Sequence, residues 1–167
     1  MNLLTDYFSR IRRNHGLEHA TIHLLSEAQP GRRLIGRSDF GGFWLLGEVG
    51  TEELVEAVQL ALARMRAGEH NLAVHPNCGT NYVTYGAVAG LGAFAALAGA
   101  GPERRDKLER LPLAALLATL GLIIAQPLAF KVQQRVTTSG HPEGLRIVSV
   151  VRSDIGERTA HRVKTRG

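Results

Sequence analysis

Two stretches without a charged residue dominate the pattern of the chain, one at positions 78–102 and one at 111–130. Each can carry the roughly 20 apolar residues that cross a bilayer core of about 30 Å. The first, taken as a span over 82–101, is rich in Gly and Ala. The second, over 111–130, is rich in Leu, with Gln126 as its one strongly polar side chain. A chain of 167 residues is too short to enclose two helices that are apolar on every side. The pattern therefore predicts a transmembrane helical hairpin closed by the charged loop 103–110.

Outside the spans the periodicities are those of polar-domain elements. Leu3, Leu4, Tyr7, Phe8, Ile11, Ile22, Leu24 and Leu25 give an apolar helical stripe, ended by Gln29-Pro30-Gly31. A strand pair is expected over 33–37 and 42–48, turning around 38–41. Thr51 is placed to cap a helix whose first turn holds Glu52 and Glu53, and Gly68 closes it after Arg64 and Arg66. Positions 71–75 read as extended. Beyond the spans, 145–152 and 158–164 predict a hairpin around Asp154-Ile155-Gly156. There is no internal repeat and no low-complexity tract. The expected fold is a mainly α membrane protein: a two-span transmembrane hairpin (81–130) with a small α+β polar domain. That domain is formed by the N-terminal region (1–80) and a basic C-terminal tail (131–167) carrying the β-hairpin.

Composition adds direction to this picture. Whole-chain mean hydropathy is close to zero, which hides the split between spans and polar parts. The net charge of +5 gathers in Arg10-Ile11-Arg12-Arg13, Arg32-Arg33 and Arg162-Val163-Lys164-Thr165-Arg166. With aromatic residues at 5% and no nucleic-acid motif, this charge is assigned to anionic lipid head groups, not to nucleic acid. Basic residues are nearly balanced between the loop (Arg104, Arg105, Lys107, Arg110) and the opposite flanks (Arg64, Arg66, Lys131, Arg135, Arg146). Neither span is N-terminal and the first segment lacks an export signal, so a multi-pass cell-membrane protein with both termini in the cytoplasm is expected. The single Cys78 fits a reducing compartment. Gly86 and Gly90, like Ala96 and Ala100, offer a small-residue face through which the Gly/Ala-rich span can form a homo-oligomer.

The candidate chemistry lies in two short motifs, His15-Gly16-Leu17-Glu18-His19 and His75-Pro76-Asn77-Cys78-Gly79-Thr80. Four-residue spacing puts His15 and His19 on one helix face, able to hold one cation, with Glu18 beside them. This is the inverted order of the zinc-protease helix, in which two His bind zinc and the Glu is the general base. A catalytic zinc takes three protein ligands. The third is expected from His75 or Cys78, with Glu69 and His70 as weaker candidates. His23, Glu69 and His70 are also placed to support the ligands from behind, and His23 extends the helix face by one turn. The blander readings are a Cys78 that is simply buried, a His75 bonded to a loop carbonyl, and a Gly16 that admits a neighbouring backbone. His141 and His161, in the polar tail, read as surface residues.

These motifs resemble the core of the YqhQ-like bacterial membrane proteins, which carry His-Gly-x-Glu-His and His-Pro-x-Cys-Gly-Thr in this order before a transmembrane segment. Gln133-Gln134-Arg135-Val136-Thr137-Thr138 followed by Pro142 is similar to their stretch after the last span. Ala20 stands where that family usually has Lys, and Asn77 where Arg is common. The resemblance implies an uncharacterised membrane protein with a His/Glu/Cys site and singles out His15, Glu18, His19, His75 and Cys78.

The expected function is a membrane-embedded zinc-dependent hydrolase, a metallopeptidase at the membrane surface acting on a protein or peptide. In it zinc is held by His15, His19 and His75 or Cys78, and Glu18 accepts a proton from water. Segment 42–47 is expected to anchor the polar domain through Phe43 and Trp44, or to pair with an extended peptide. The alternative is a non-catalytic scaffold or regulatory membrane protein whose zinc is structural.

Overall fold

The computed structural model describes residues 3–154, 156 and 158–167. They divide into two compact units, one running to His75 and resuming at Gln134, the other Pro76–Gln133.

The first unit joins both ends of the chain in one antiparallel sheet. Helix α1 (Leu3–Ala28) is followed by β1 (Ile35–Asp39) and β2 (Gly42–Leu46), then by α2 (Thr51–Arg66). After the second unit come β3 (Arg146–Arg152) and β4 (Ala160–Arg166), giving the strand order β1-β2-β4-β3. Register runs Ile35↔Leu46 in the first hairpin and Leu45↔His161 across the join, with a bulge between Ile147 and Ser149. Leu17 and Leu25 of α1, Leu54, Val58 and Met65 of α2, and Phe43, Leu45 and Val163 of the sheet fill the core. Burial of such side chains is the main favourable term for a unit of this size. Asn14, fully buried on α1, ties the layers together. Its amide donates to Asp39 O at 2.8 Å and its Oδ1 accepts from Thr165 Oγ1 at 2.7 Å.

Several expectations change here. Of the expected extended stretch 71–75, positions 71–73 instead belong to a 3-10 turn, His70–Ala73, while Val74 is extended. Thr51 does not cap α2: Gly50 is the N-cap, and the Thr51 hydroxyl lies 3.0 Å from His161 Nε2. The start of the α1 stripe is outside the core, with Leu3, Leu4, Tyr7 and Phe8 exposed. Strand β2 has both edges paired, so it has no backbone groups left for an added peptide strand. Phe43 is 0% exposed and belongs to the core, so it is no membrane anchor. His161 is buried and not a surface residue, because it alternates inward with Val163 and Thr165. Of the expected tail turn, Ile155 lies outside the described residues.

The second unit consists of α3 (Gly79–Ala98), the short α4 (Arg104–Glu109) and α5 (Leu111–Val132). The charged loop is thus itself helical, with a capping box between Glu103 and Asp106. α3 and α5 run antiparallel: Gly92 faces Leu117 and Gly121 faces Val88 and Ala89. A Cβ on Gly92 would lie 2.7 Å from Leu117 O, so glycine sets how close the backbones come. Asn81 and Gln133, both buried, are joined at 3.1 Å, and Asn81 also donates to Pro76 O at 2.9 Å. Large side chains point outward, among them Val83, Leu91 and Phe94 of α3 and Leu116, Ile123 and Ile124 of α5. At 20 and 22 residues, rising about 1.5 Å per residue, both helices are long and apolar enough to cross a membrane.

Candidate metal centre

His15, His19 and His23 recur every four positions and form one stripe on α1. Each ring is fastened to a backbone carbonyl. His15 Nδ1 lies 2.9 Å from Thr137 O, His19 Nδ1 2.8 Å from Ala73 O, and His23 Nε2 2.8 Å from Val74 O. A carbonyl only accepts, so the facing nitrogen carries the proton. His15 and His19 therefore hold their lone pairs on Nε2, whereas His23 holds its own on Nδ1. An imidazole whose other nitrogen donates to a carbonyl is the arrangement found in metal-ligating histidines.

The rings of His15 and His19 are 4.4 Å apart, and a ligand nitrogen of each lies within 4.8 Å of the other. His75 stands 5.7 Å from the His19 ring and 4.8 Å from the His23 ring. Burial above all, with smaller electrostatic contributions from the neighbouring imidazoles of His23 and His19, pushes the His75 pKa down to about 4. It is consequently a neutral imidazole at neutral pH, the form that binds metals.

Two features fix the carbonyls that hold these rings. Arg12 donates to Arg135 O at 2.9 Å and to Thr138 O at 3.0 Å, and Ser139 N–H donates to Arg12 O at 2.9 Å. Gly16 allows this approach: a Cβ there would overlap the Ser139 carbonyl and sit 3.2 Å from Ala73 Cβ. The close-approach reading of Gly16 is thus the one the fold uses.

Glu18 occupies another flank of α1, about 60° from His15 and 100° from His19 around the helix. Its carboxylate is buried, accepts the Ser38 hydroxyl of β1 and lies against Gly36. Ser38 and the three carbonyls are hydrogen-bond partners of the candidate residues that the motifs did not reveal. Backbone acceptors carry no side-chain signature, and a serine in a strand gives no distinguishing signal.

Glu69 and His70 are engaged elsewhere. Glu69 pairs with Arg64 at 2.9 Å, and that hydrogen bond holds its carboxyl below the usual range. His70 Nδ1 donates to Gly140 O at 2.8 Å, and its ring lies against that of His141. Cys78 belongs to the second unit, where it is the buried N-cap residue of α3.

Comparison with known proteins returns a family model described as "Domain of unknown function (DUF6391)", which matches residues 10–150. An uncharacterised protein of Picosynechococcus sp. (strain ATCC 27264 / PCC 7002 / PR-6) is 37% identical over 139 residues, covering 77% of this chain. The alignment spans 66% of that relative's own length. No solved structure matches. The matching family, like the one that the sequence motifs resemble, is one of uncharacterised proteins.

Proposed function

The chain belongs to that DUF6391 family, and we propose that it is a membrane-anchored zinc-dependent hydrolase with a peptide bond as its target. The reading rests above all on His15 and His19, paired on α1 with each Nδ1–H committed to a carbonyl and each lone pair on Nε2. His75 supplies the third imidazole. Three neutral nitrogen ligands suit zinc and leave one coordination position for substrate or water. The likeness to the YqhQ-like proteins draws attention to His15, Glu18, His19, His75 and Cys78.

Zinc held there would polarise a carbonyl and acidify water. Glu18 takes the proton from the attacking water and delivers it to the leaving amine, and the Ser38 hydroxyl keeps the carboxylate oriented between these steps. The lipid bilayer is the proposed partner of α3 and α5, whose large apolar side chains face outward. The exposed Leu3, Leu4, Tyr7 and Phe8 suit its interface. Placement in the cell membrane with both termini cytoplasmic is part of the same proposal.

A second reading is a structural zinc site in a non-catalytic scaffold. It draws support from Glu18, whose carboxylate is already committed to Ser38 on the β1 flank.

The test is zinc content of tag-free, detergent-purified protein beside a His15→Ala, His19→Ala variant, followed by peptidase assays with Glu18→Gln. The proposal expects the double variant to hold one equivalent less. It expects Glu18→Gln to keep its metal and lose about 10²–10⁴-fold in turnover. A folded double variant that binds as much zinc as wild type removes the centre. Turnover unchanged in Glu18→Gln leaves the structural reading. A Cys78→Ser variant that keeps full zinc marks the buried thiol as packing.

A further inference from the structure

We infer that the first unit carries a second transition-metal site, formed by His70 and His141 and separate from the His15/His19 pair. The two rings lie 3.9 Å apart, centroid to centroid, and are tilted by 39°. They line a cleft of about 240 Å³ together with Asn71, Gln134 and Thr138.

His70 is prepared for a ligand in the same way as His15 and His19. Its Nδ1 lies 2.8 Å from Gly140 O, so the proton is on Nδ1 and the lone pair on Nε2. The approach of that carbonyl depends on glycine. A Cβ at Gly140 would meet His70 O at 2.6 Å and His70 Cβ at 2.7 Å. The loop is fixed on its other side, where Ser139 N–H donates to Arg12 O. Ser139 Oγ also bonds the backbone N–H and carbonyl of His141, both at 3.3 Å.

The donor set selects the ligand class. Among the described residues no carboxylate and no cationic side chain lines the cleft, so neither a hard cation such as magnesium nor an anion at neutral pH finds its usual partners. Two imidazoles with neutral amide and hydroxyl oxygens suit a borderline divalent ion such as zinc, copper or nickel. His141 is exposed and His70 half-buried, so the site loads and exchanges from solvent. It also has a mechanical connection to the first centre. His70 opens the 3-10 turn that ends at Ala73, and the carbonyls of Ala73 and Val74 orient His19 and His23. An ion on His70 and His141 ties this turn to the loop that follows Thr138.

Equilibrium dialysis of chelator-stripped, tag-free, full-length protein in detergent against micromolar zinc tests the inference. The variants are His141→Ala, His70→Gln and the His15→Ala, His19→Ala pair, with circular dichroism to check each fold. His141→Ala and His70→Gln are each expected to bind one equivalent less than wild type. His141 is exposed, so its replacement does not disturb the core. The His15/His19 variant is expected to keep the equivalent that those two lose. If only the His15/His19 variant loses zinc, the second site falls and the proposed centre stands. If only His141→Ala and His70→Gln lose zinc, the second site stands and the proposed centre falls. Equal binding by all four proteins overturns both.

Discussion

Replacing Gly16 by alanine sets two physical effects against each other. In a helix interior Ala is favoured over Gly by about 1 kcal/mol, so local propensity alone predicts stabilisation. The fold opposes it. The new methyl would overlap the Ser139 carbonyl and press on Ala73 Cβ, 3.2 Å from its position. The worst overlap is with backbone, so no flexible side-chain tip can swing aside. Overpacking of this kind costs about 1–3 kcal/mol. The displaced segment also strains the Ser139 N–H to Arg12 O bond and the Arg12 bonds to Thr138 O, each worth about 1 kcal/mol. After the propensity gain is subtracted, the net loss is about 1–4 kcal/mol. Thermal unfolding in detergent reads this as a fall of about 2–4 °C per kcal/mol for a chain of this length. Gly86→Ala is the internal control: it lies in α3 with nothing within 4 Å of an added Cβ, and Tm should hold or rise. Because Thr137 O moves with Ser139, zinc bound at His15 should weaken in the Gly16 variant. A Gly16→Ala protein as stable as wild type would refute the close approach, and so would an equal loss in Gly86→Ala.

Two further outcomes follow from buried polar groups. Burial, then the charge of Arg152, lowers the His161 pKa below 6.5, against the weaker upward pull of Asp154. The folded protein thus keeps this ring neutral while the unfolded chain protonates it. Its contribution to stability is complete above pH 6.5 and is lost as pH falls below that value, by no more than about 1.4 kcal/mol per unit. Tm measured from pH 7 down to pH 5 should decline, and less steeply in His161→Gln; identical slopes would exclude His161 as a source. In the second unit, Asn81→Leu removes the acceptor of Gln133 and the donor to Pro76 O. It should cost about 1–3 kcal/mol, partly recovered in Asn81→Leu, Gln133→Leu. A single variant as stable as wild type would show that the pair carries no weight.

What was legible in the chain is what periodicity and runs of one character encode. The two uncharged runs became α3 and α5, Gln29-Pro30-Gly31 ended α1, and Gly68 followed the end of α2. Pairing between β2 and β4 was not legible, because it joins Leu45 to His161 across most of the chain and depends on tertiary packing. Its consequence for His161 was nonetheless written locally. Arg162, Lys164 and Arg166 alternate with His161, Val163 and Thr165, and a period of two puts the second set on one face. Reading the tail as uniformly polar missed that face. Phe43 was misplaced for a related reason: an aromatic beside Trp44 suggested an interface, while a strand paired on both edges turns alternate residues into the core.

The candidate centre shows a different boundary. Spacing alone makes His15, His19 and His23 equivalent, since each is four residues from the next. The carbonyls break that equivalence. Thr137 O and Ala73 O bind Nδ1 of the first two rings, and Val74 O binds Nε2 of the third, so the lone pairs of His15 and His19 lie on one type of nitrogen and that of His23 on the other. No side-chain identity at 73, 74 or 137 encodes this, because every residue there would offer the same backbone oxygen. The sequence marks such acceptors only where they come close enough to exclude a side chain. Gly16 marks the segment around Ser139, and Gly140 marks His70. The two glycines stand beside His15, His19 and His70, whose tautomers the backbone sets, which makes them more informative about these rings than the spacing of the histidines themselves.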